Sequence, residues 1–270
     1  MTQLNGTLGF LGMGNMGGAI LKGLLESAVI TPARVAIFDV DVDKIAAAKA
    51  MGVHAAASPA DLAAQCDIIV LAVKPQIMAE ALGQIKPTLN PAALMVSIAA
   101  GISIDNIKNV LGMETRVVRV MPNTPALVLA GAAGIALSAN CTEADAVAAR
   151  TIFESVGVVA MVDEPMIDVV TALSGSGPAY FFYMVECLVT AATAQGLDEQ
   201  QALQLASQTL LGAGRLLSES GELPATLRQR VTSKGGTTEA ALNAFRQNNF
   251  EAVIAAGVNA AVARAHELGK

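Results

Sequence analysis

Two stretches carry residue types at spacings that can do chemistry. Within Val231 to Leu242, the adjacent Gly235 and Gly236 let the backbone turn and come close to a ligand. The hydroxyls of Thr237 and Thr238 follow, where a helix from about Thr238 is expected to begin. Unpaired N–H groups at such a start can hold a small anion, although an ordinary capped helix start reads the same way taken alone. The second stretch is Gly12-Met13-Gly14-Asn15-Met16-Gly17. The apolar run Thr7 to Leu11 precedes it, and Ala19, Ile20, Leu21, Leu24 and Leu25 follow at helical spacing. Strand, glycine loop and helix in that order are the setting in which the glycines admit a pyrophosphate and the helix N-terminus faces its charge.

These residues need a scaffold, and the N-terminal half supplies one by alternation. Strands are expected at Arg34–Asp39, Asp67–Val73, Leu94–Ala100 and Thr115–Val120, with helices around Val42 to Met51 and after Ser58-Pro59. Asp39 falls where an acidic residue would bind the adenosine ribose diol, or is a plain strand-end turn residue. With Asp41 and Asp43 it makes a negative patch that repels a 2′-phosphate unless Lys44 or backbone N–H groups compensate, so the residues lean toward NADH. In a doubly wound sheet the strand C-termini line the ligand crevice. That puts Lys74, Asn123 and Thr124 on the nicotinamide side, although each also reads as a turn or capping residue.

Past about Glu164 the pattern turns helical, with expected helices near Pro165–Ser174, Pro178–Gln195, Asp198–Ser218, Pro224–Val231, Thr238–Gln247 and Phe250–Leu268. Lys and Arg are absent from Thr151 through Gly214, so these Ala- and Leu-rich helices must bury surface nearly all round. An intertwined dimer is favoured over a buried layer within one chain. Ser174-Gly175-Ser176-Gly177 then Tyr180 to Tyr183 reads either as a helix kink followed by core aromatics or as a close approach to a cofactor.

Composition narrows the function. A chain of 270 residues accommodates two domains, expected at 1–163 and 164–270. The fold class is α/β: an N-terminal Rossmann-type doubly wound sheet followed by an all-α dimerisation domain. Although 53% of residues are hydrophobic, every apolar run is interrupted well short of the roughly 18 to 20 residues of a membrane span, which predicts a soluble chain. No secretory pattern is visible at Met1 to Gly6, and cytoplasm is the expected location. Cys66, Cys141 and Cys187 are far apart and lack ligand spacing, so packed thiols are expected rather than disulfides or a metal site. A net charge of −6 without a dense basic run argues against nucleic acid and for a small-molecule partner. His54 and His266 are poorly placed to be catalytic acids.

Five motifs taken together resemble pyrroline-5-carboxylate reductases over essentially the whole chain: Gly12 to Gly17, Ala72-Val73-Lys74-Pro75, Met121-Pro122-Asn123-Thr124-Pro125, Leu173 to Tyr180, and Ser233-Lys234-Gly235-Gly236-Thr237-Thr238. The resemblance implies reduction of the cyclic imine 1-pyrroline-5-carboxylate to L-proline by NADPH or NADH, the last step of proline biosynthesis, in homodimers that often assemble into decamers. Carried over by position, Leu11, Gly12, Met13, Gly14, Asn15 and Met16 bind pyrophosphate. Ala72, Val73, Lys74, Pro75, Ile98, Ala99 and Ala100 flank the nicotinamide ribose and ring. Glu164 lies near the substrate, and Ser233, Gly236, Thr237 and Thr238 form the substrate loop. The chain departs from the family pattern at Lys234, where many members carry Pro, and at Asp39, where NADPH-preferring members often carry hydroxyl or basic residues.

Hydride transfer to a C=N bond turns the ring nitrogen into an amine, so a hydroxyl beside it would either complete protonation or orient the imine; Thr238 is assigned that place. The Gly235-Gly236-Thr237 turn is assigned the substrate carboxylate. A β-hydroxyacid-type dehydrogenase would need a Lys in the first long helix of the second domain, and that segment has none. A non-catalytic dinucleotide sensor would bind cofactor without reducing an imine.

Overall fold

The protein is described by a computed structural model covering Gln3 to Gly269. Its first part alternates β1 (Leu8–Leu11), α1 (Asn15–Glu26), β2 (Val35–Phe38), α2 (Val42–Ala50), β3 (His54–Ala55), α3 (Pro59–Gln65), β4 (Ile68–Leu71), α4 (Met78–Ile85), β5 (Leu94–Ser97), α5 (Ile104–Leu111) and β6 (Arg116–Met121). Then β7 (Gly131–Leu137), α6 (Glu143–Glu154) and β8 (Gly157–Met161) extend the sheet, giving the order β3-β2-β1-β4-β5-β6-β7-β8. All neighbours are parallel except β6 and β7. The order reverses at β1, where β2 lies on one side and β4 on the other, which is where open α/β sheets leave a crevice.

The strands are short apolar runs buried on both faces, as a sheet covered by helices on each side requires. Their side chains divide with period two. Leu8, Phe10, Ile68, Val70, Leu94, Val96, Val118 and Val120 enter one core, while Leu11, Ile69, Leu71, Met95 and Val117 enter the other. Helix starts follow local chemistry: Ser58 Oγ accepts the Asp61 N–H at 3.0 Å, and Ser103 with Asn106 closes a capping box at α5.

Three strands lie outside the sequence reading. β3 is two residues long, and β7, Gly-Ala-Ala-Gly-Ile-Ala-Leu, has one β-branched side chain, so its pairing with β6 and β8 rather than propensity makes it a strand. The single helix expected over 165–174 is divided. A 3-10 turn (Glu164–Met166) leads into α7 (Ile167–Val170), followed by a π-turn at Thr171–Gly175. Thr171 and Ser174 hydroxyls donate to the carbonyls of Ile167 and Val170 at 2.7 and 3.0 Å, and Gly175 packs so close to Met121 that a Cβ there would lie 2.7 Å from its Cε.

The remaining helices are α8 (Gly177–Ala194), α9 (Glu199–Ser220), α10 (Pro224–Arg230), α11 (Thr237–Gln247) and α12 (Phe250–Leu268). Contacts divide the chain into one compact unit ending at Ser176, rejoined by the stretch from Ala261 on, and a second, Gly177–Ala260. Within the first unit the end of α12 packs tightly, because a Cβ on Gly101 would lie 2.7 Å from the Leu268 carbonyl oxygen. In the second unit the aromatics are not core: Phe181, Phe182 and Tyr183 are 57%, 61% and 68% exposed. Three consecutive residues point in directions spread around a helix, so α8 has no fully covered face within one chain.

Candidate active site

Strand register brings the C-terminal ends of β1, β2, β4 and β5 to one edge, with Leu11 opposite Phe38 and Leu71, and Leu71 opposite Ser97. Backbone bonds continue the alignment past the strands. The Gly12 N–H donates to Phe38 O at 2.8 Å, Ala72 N–H to Leu11 O at 2.9 Å and Ile98 N–H to Leu71 O at 3.2 Å. The edge therefore gathers Leu11 to Met16, Asp39, Ala72 to Pro75 and Ile98 to Ala100, every residue carried over for the cofactor.

Gly12 has φ +99°, and a Cβ on it would meet the Ala72 carbonyl oxygen at 2.8 Å. Gly17 lets α1 approach the loop, where its Cβ would meet Gly12 O at 2.8 Å. Gly14 faces open space, and as the N-cap of α1 it offers no side chain to the first N–H groups of the helix. An uncapped helix start beside an open glycine cradle fits a pyrophosphate.

Asp39 does more than the sequence reading foresees. Its Oδ2 accepts the Met13 N–H at 2.6 Å and its Oδ1 accepts the Asp41 N–H at 2.9 Å, so it pins the glycine loop to the end of β2. Each carboxylate oxygen keeps a further lone pair for a ribose hydroxyl. The Asp43 N–H holds the Asp41 carboxyl below its ordinary value, and Lys44 leans on that carboxylate at 3.6 Å.

On the nicotinamide side, Lys74 and Thr124 are exposed, whereas Asn123 is buried. Asn123 accepts the Ala132 N–H at 2.8 Å and donates to Ser174 O at 3.0 Å, clamping the loop after β6 to β7 and to the π-turn. Glu164 is also committed. Its Oε1 takes the Ile104 N–H at 2.8 Å and the buried Arg119 guanidinium at 3.2 Å, and Arg119 reaches Asp168 at 3.6 Å. His266 stands 3.5 Å from the other oxygen of Asp168. The cysteines differ from the packed thiols expected. Only Cys66 is buried, with burial pushing its thiol up to about 12, while Cys187 is exposed because nothing in one chain covers α8.

In the second unit, Ser233 O accepts the Gly236 N–H at 3.0 Å, and Gly235 has φ +74°. Ser233-Lys234-Gly235-Gly236 is thus a type II turn, with glycine at the position that requires positive φ. Gly236 is the N-cap of α11 and, having no side chain, leaves the first N–H groups of the helix without a side-chain cap. Thr237 and Thr238 are the first two residues of the helix. Glu239, absent from the sequence reading, accepts the Gly235 N–H through Oε2 at 2.7 Å. Its signal in the sequence is a Glu three residues after the N-cap.

A separate hollow lies away from this edge. About 400 Å³ in volume, it is lined by Ile68, Leu94 and Arg116, the first residues of β4, β5 and β6, and therefore lies at the opposite end of the strands.

A switch-point edge with a glycine cradle, an acid at the end of β2 and an uncapped helix start define a Rossmann-type oxidoreductase whose cofactor is a nicotinamide dinucleotide. Residues 7–101 match the family described as NADP oxidoreductase, coenzyme F420-dependent, and residues 164–268 match pyrroline-5-carboxylate reductase dimerisation. The chain is 38% identical over 264 residues to the pyrroline-5-carboxylate reductase of Escherichia coli K12, covering 97% of this chain and 98% of that one. It is 40% identical to that of Pseudomonas aeruginosa, covering 97% of each. Among solved structures, a pyrroline-5-carboxylate reductase from Coxiella burnetii superposes with a TM-score of 0.94 at 37% identity, covering 98% and 99% of the two chains. The Plasmodium falciparum enzyme, solved with NADP bound, gives 0.86 at 32%, covering 99% and 100%. The chain belongs to the pyrroline-5-carboxylate reductase family.

Proposed function

We infer that this protein reduces the C=N bond of 1-pyrroline-5-carboxylate to give L-proline, the last step of proline biosynthesis, in the cytoplasm. The observation that carries the substrate side is the start of α11. With glycine at the N-cap and no side-chain cap bond, the N–H groups of its first turn are left to an acceptor from outside the helix, and a small carboxylate is such an acceptor. The N–H groups of Gly235 and Gly236, assigned to the carboxylate from the sequence, are taken by Glu239 and Ser233 O. In this reading the open N–H groups of Thr237 and Thr238 therefore receive the substrate carboxylate, Ser233 and Gly236 close the turn that presents them, and the Thr238 hydroxyl protonates or orients the ring nitrogen. Glu164 is placed near the substrate by the family resemblance alone, its carboxylate being engaged by the Ile104 N–H and Arg119.

The bound cofactor supplies a hydride. The chain's part is to hold it, with Leu11 to Met16 on the pyrophosphate and Ala72 to Pro75 and Ile98 to Ala100 flanking the nicotinamide. We assign NADH as the preferred form. The Asp39 carboxylate faces the ribose position, and the nearby Lys44 is engaged with Asp41 instead of standing free for a 2′-phosphate. The apolar, uncovered helices of the second unit support a homodimer, and the family resemblance extends this to a decamer.

The test is turnover of 1-pyrroline-5-carboxylate with each cofactor, followed by nicotinamide absorbance. The expected result is imine-dependent oxidation of both, with kcat/KM roughly tenfold or more higher for NADH, about what one unpaired charge repulsion contributes. Cofactor binding without imine reduction would overturn the enzymatic reading, and a preference for NADPH would overturn the role given to Asp39.

A further inference from the structure

The substrate loop holds a residue that its chemistry does not account for. The type II turn Ser233–Gly236 has Lys234 at its second position, where proline commonly pre-sets φ. The turn therefore begins with a residue free to adopt other conformations, and fixing it costs backbone entropy. The structure offers a compensating tie, since Glu239 Oε2 lies 2.7 Å from the Gly235 nitrogen and reaches back over the first turn of α11. This is one half of a capping box, displaced by a residue. In the full motif the N-cap side chain returns the bond to the third helical N–H, and here the N-cap is Gly236, which has no side chain. Glu239 therefore satisfies a donor outside the helix and leaves the helix's own first N–H groups open.

We propose that Glu239 is a positioning residue: by accepting the Gly235 N–H it locks the turn that aims the α11 start and Thr238 at the substrate. This inference rests on the substrate reading above. A carboxylate at this place also puts negative charge beside a site for an anion, which costs affinity through repulsion. The bond to Gly235 offsets that repulsion by fixing the loop.

The test compares wild type with Glu239→Ala, Glu239→Gln and the double variant Glu239→Ala with Lys234→Pro, measuring steady-state kinetics with 1-pyrroline-5-carboxylate and hydrogen exchange at the Gly235 amide. Losing a charge-assisted hydrogen bond predicts that Glu239→Ala raises KM for the imine by roughly tenfold, leaves KM for the cofactor unchanged, and speeds Gly235 exchange by a similar factor. Glu239→Gln keeps an acceptor oxygen and recovers most of both effects. Lys234→Pro stiffens the turn by another route and recovers KM in the Ala background. A wild-type or lower imine KM in Glu239→Ala would overturn the proposal, the lower value showing that the carboxylate competes with substrate. Failure of the wild type to reduce the imine would count against the substrate reading alone. In that event the exchange rates decide on the brace, and unchanged exchange in Glu239→Ala rejects it.

Discussion

Thr238 and Asp39 show how little chemistry each residue needs to supply once the backbone is placed. Thr238 stands second in α11, so its Cα and Cβ are placed by the helix start, and its β-branched side chain has few rotamers to choose from. A threonine is a weak acid, and the role proposed for Thr238 is to hold a donor at a fixed place. Thr238→Ala is expected to lower kcat by roughly 10- to 100-fold while the unfolding transition stays in place, with Thr238→Ser retaining most activity. Near-normal turnover of Thr238→Ala would remove the hydroxyl from the reaction. Asp39 was legible as an acid at a strand end, since spacing from the glycine loop locates it. Its bond to Met13 spans two segments 26 residues apart and is set by the pairing of β1 with β2.

Among the elements, the join after β6 matters most. Asn123 looks like a loop residue between two prolines, yet it is buried and bonded at both ends of its amide. Removing it leaves a half-buried N–H of Ala132 and a half-buried carbonyl of Ser174 without their partner. Asn123→Ala is therefore expected to lower unfolding stability by about 2 kcal/mol, read as a shift in the urea midpoint at fixed protein concentration. A change under about 0.5 kcal/mol would show that water replaces the side chain. The π-turn beside it has the same origin. Its glycine allows contact with Met121, and that contact depends on where β6 ends.

For the whole molecule, the governing fact is that the Gly177–Ala260 unit has almost no core of its own. Among its described residues α8 buries only Gly177 and α9 only Ala202, while Leu205, Leu211 and Phe250 stand at 60%, 55% and 36% exposure. Burial of such surface is worth about 25 cal/mol per Å², which favours a second chain packing over these helices. Sedimentation at micromolar concentration is expected to show a dimer or larger assembly of the 27.5 kDa chain. A folded species that stays at the monomer mass would contradict it. No helix among the described residues is long and apolar enough to cross a membrane.

What the sequence determined by itself was whatever is local: the glycine loop after an apolar strand, the Gly235–Thr238 turn into a helix, and the cation-free helical segment. Each is set by φ freedom, hydrogen-bonding side chains and hydrophobic period over a few neighbouring residues. The tertiary structure decided what depends on pairing across distance. β7 is a strand because β6 and β8 flank it, Asp39 reaches Met13 because β1 and β2 are in register, and Glu164 is taken up by Arg119 and Ile104. Glu239 stands between the two cases, its spacing visible in the chain but its bond to Gly235 made only once the turn has closed.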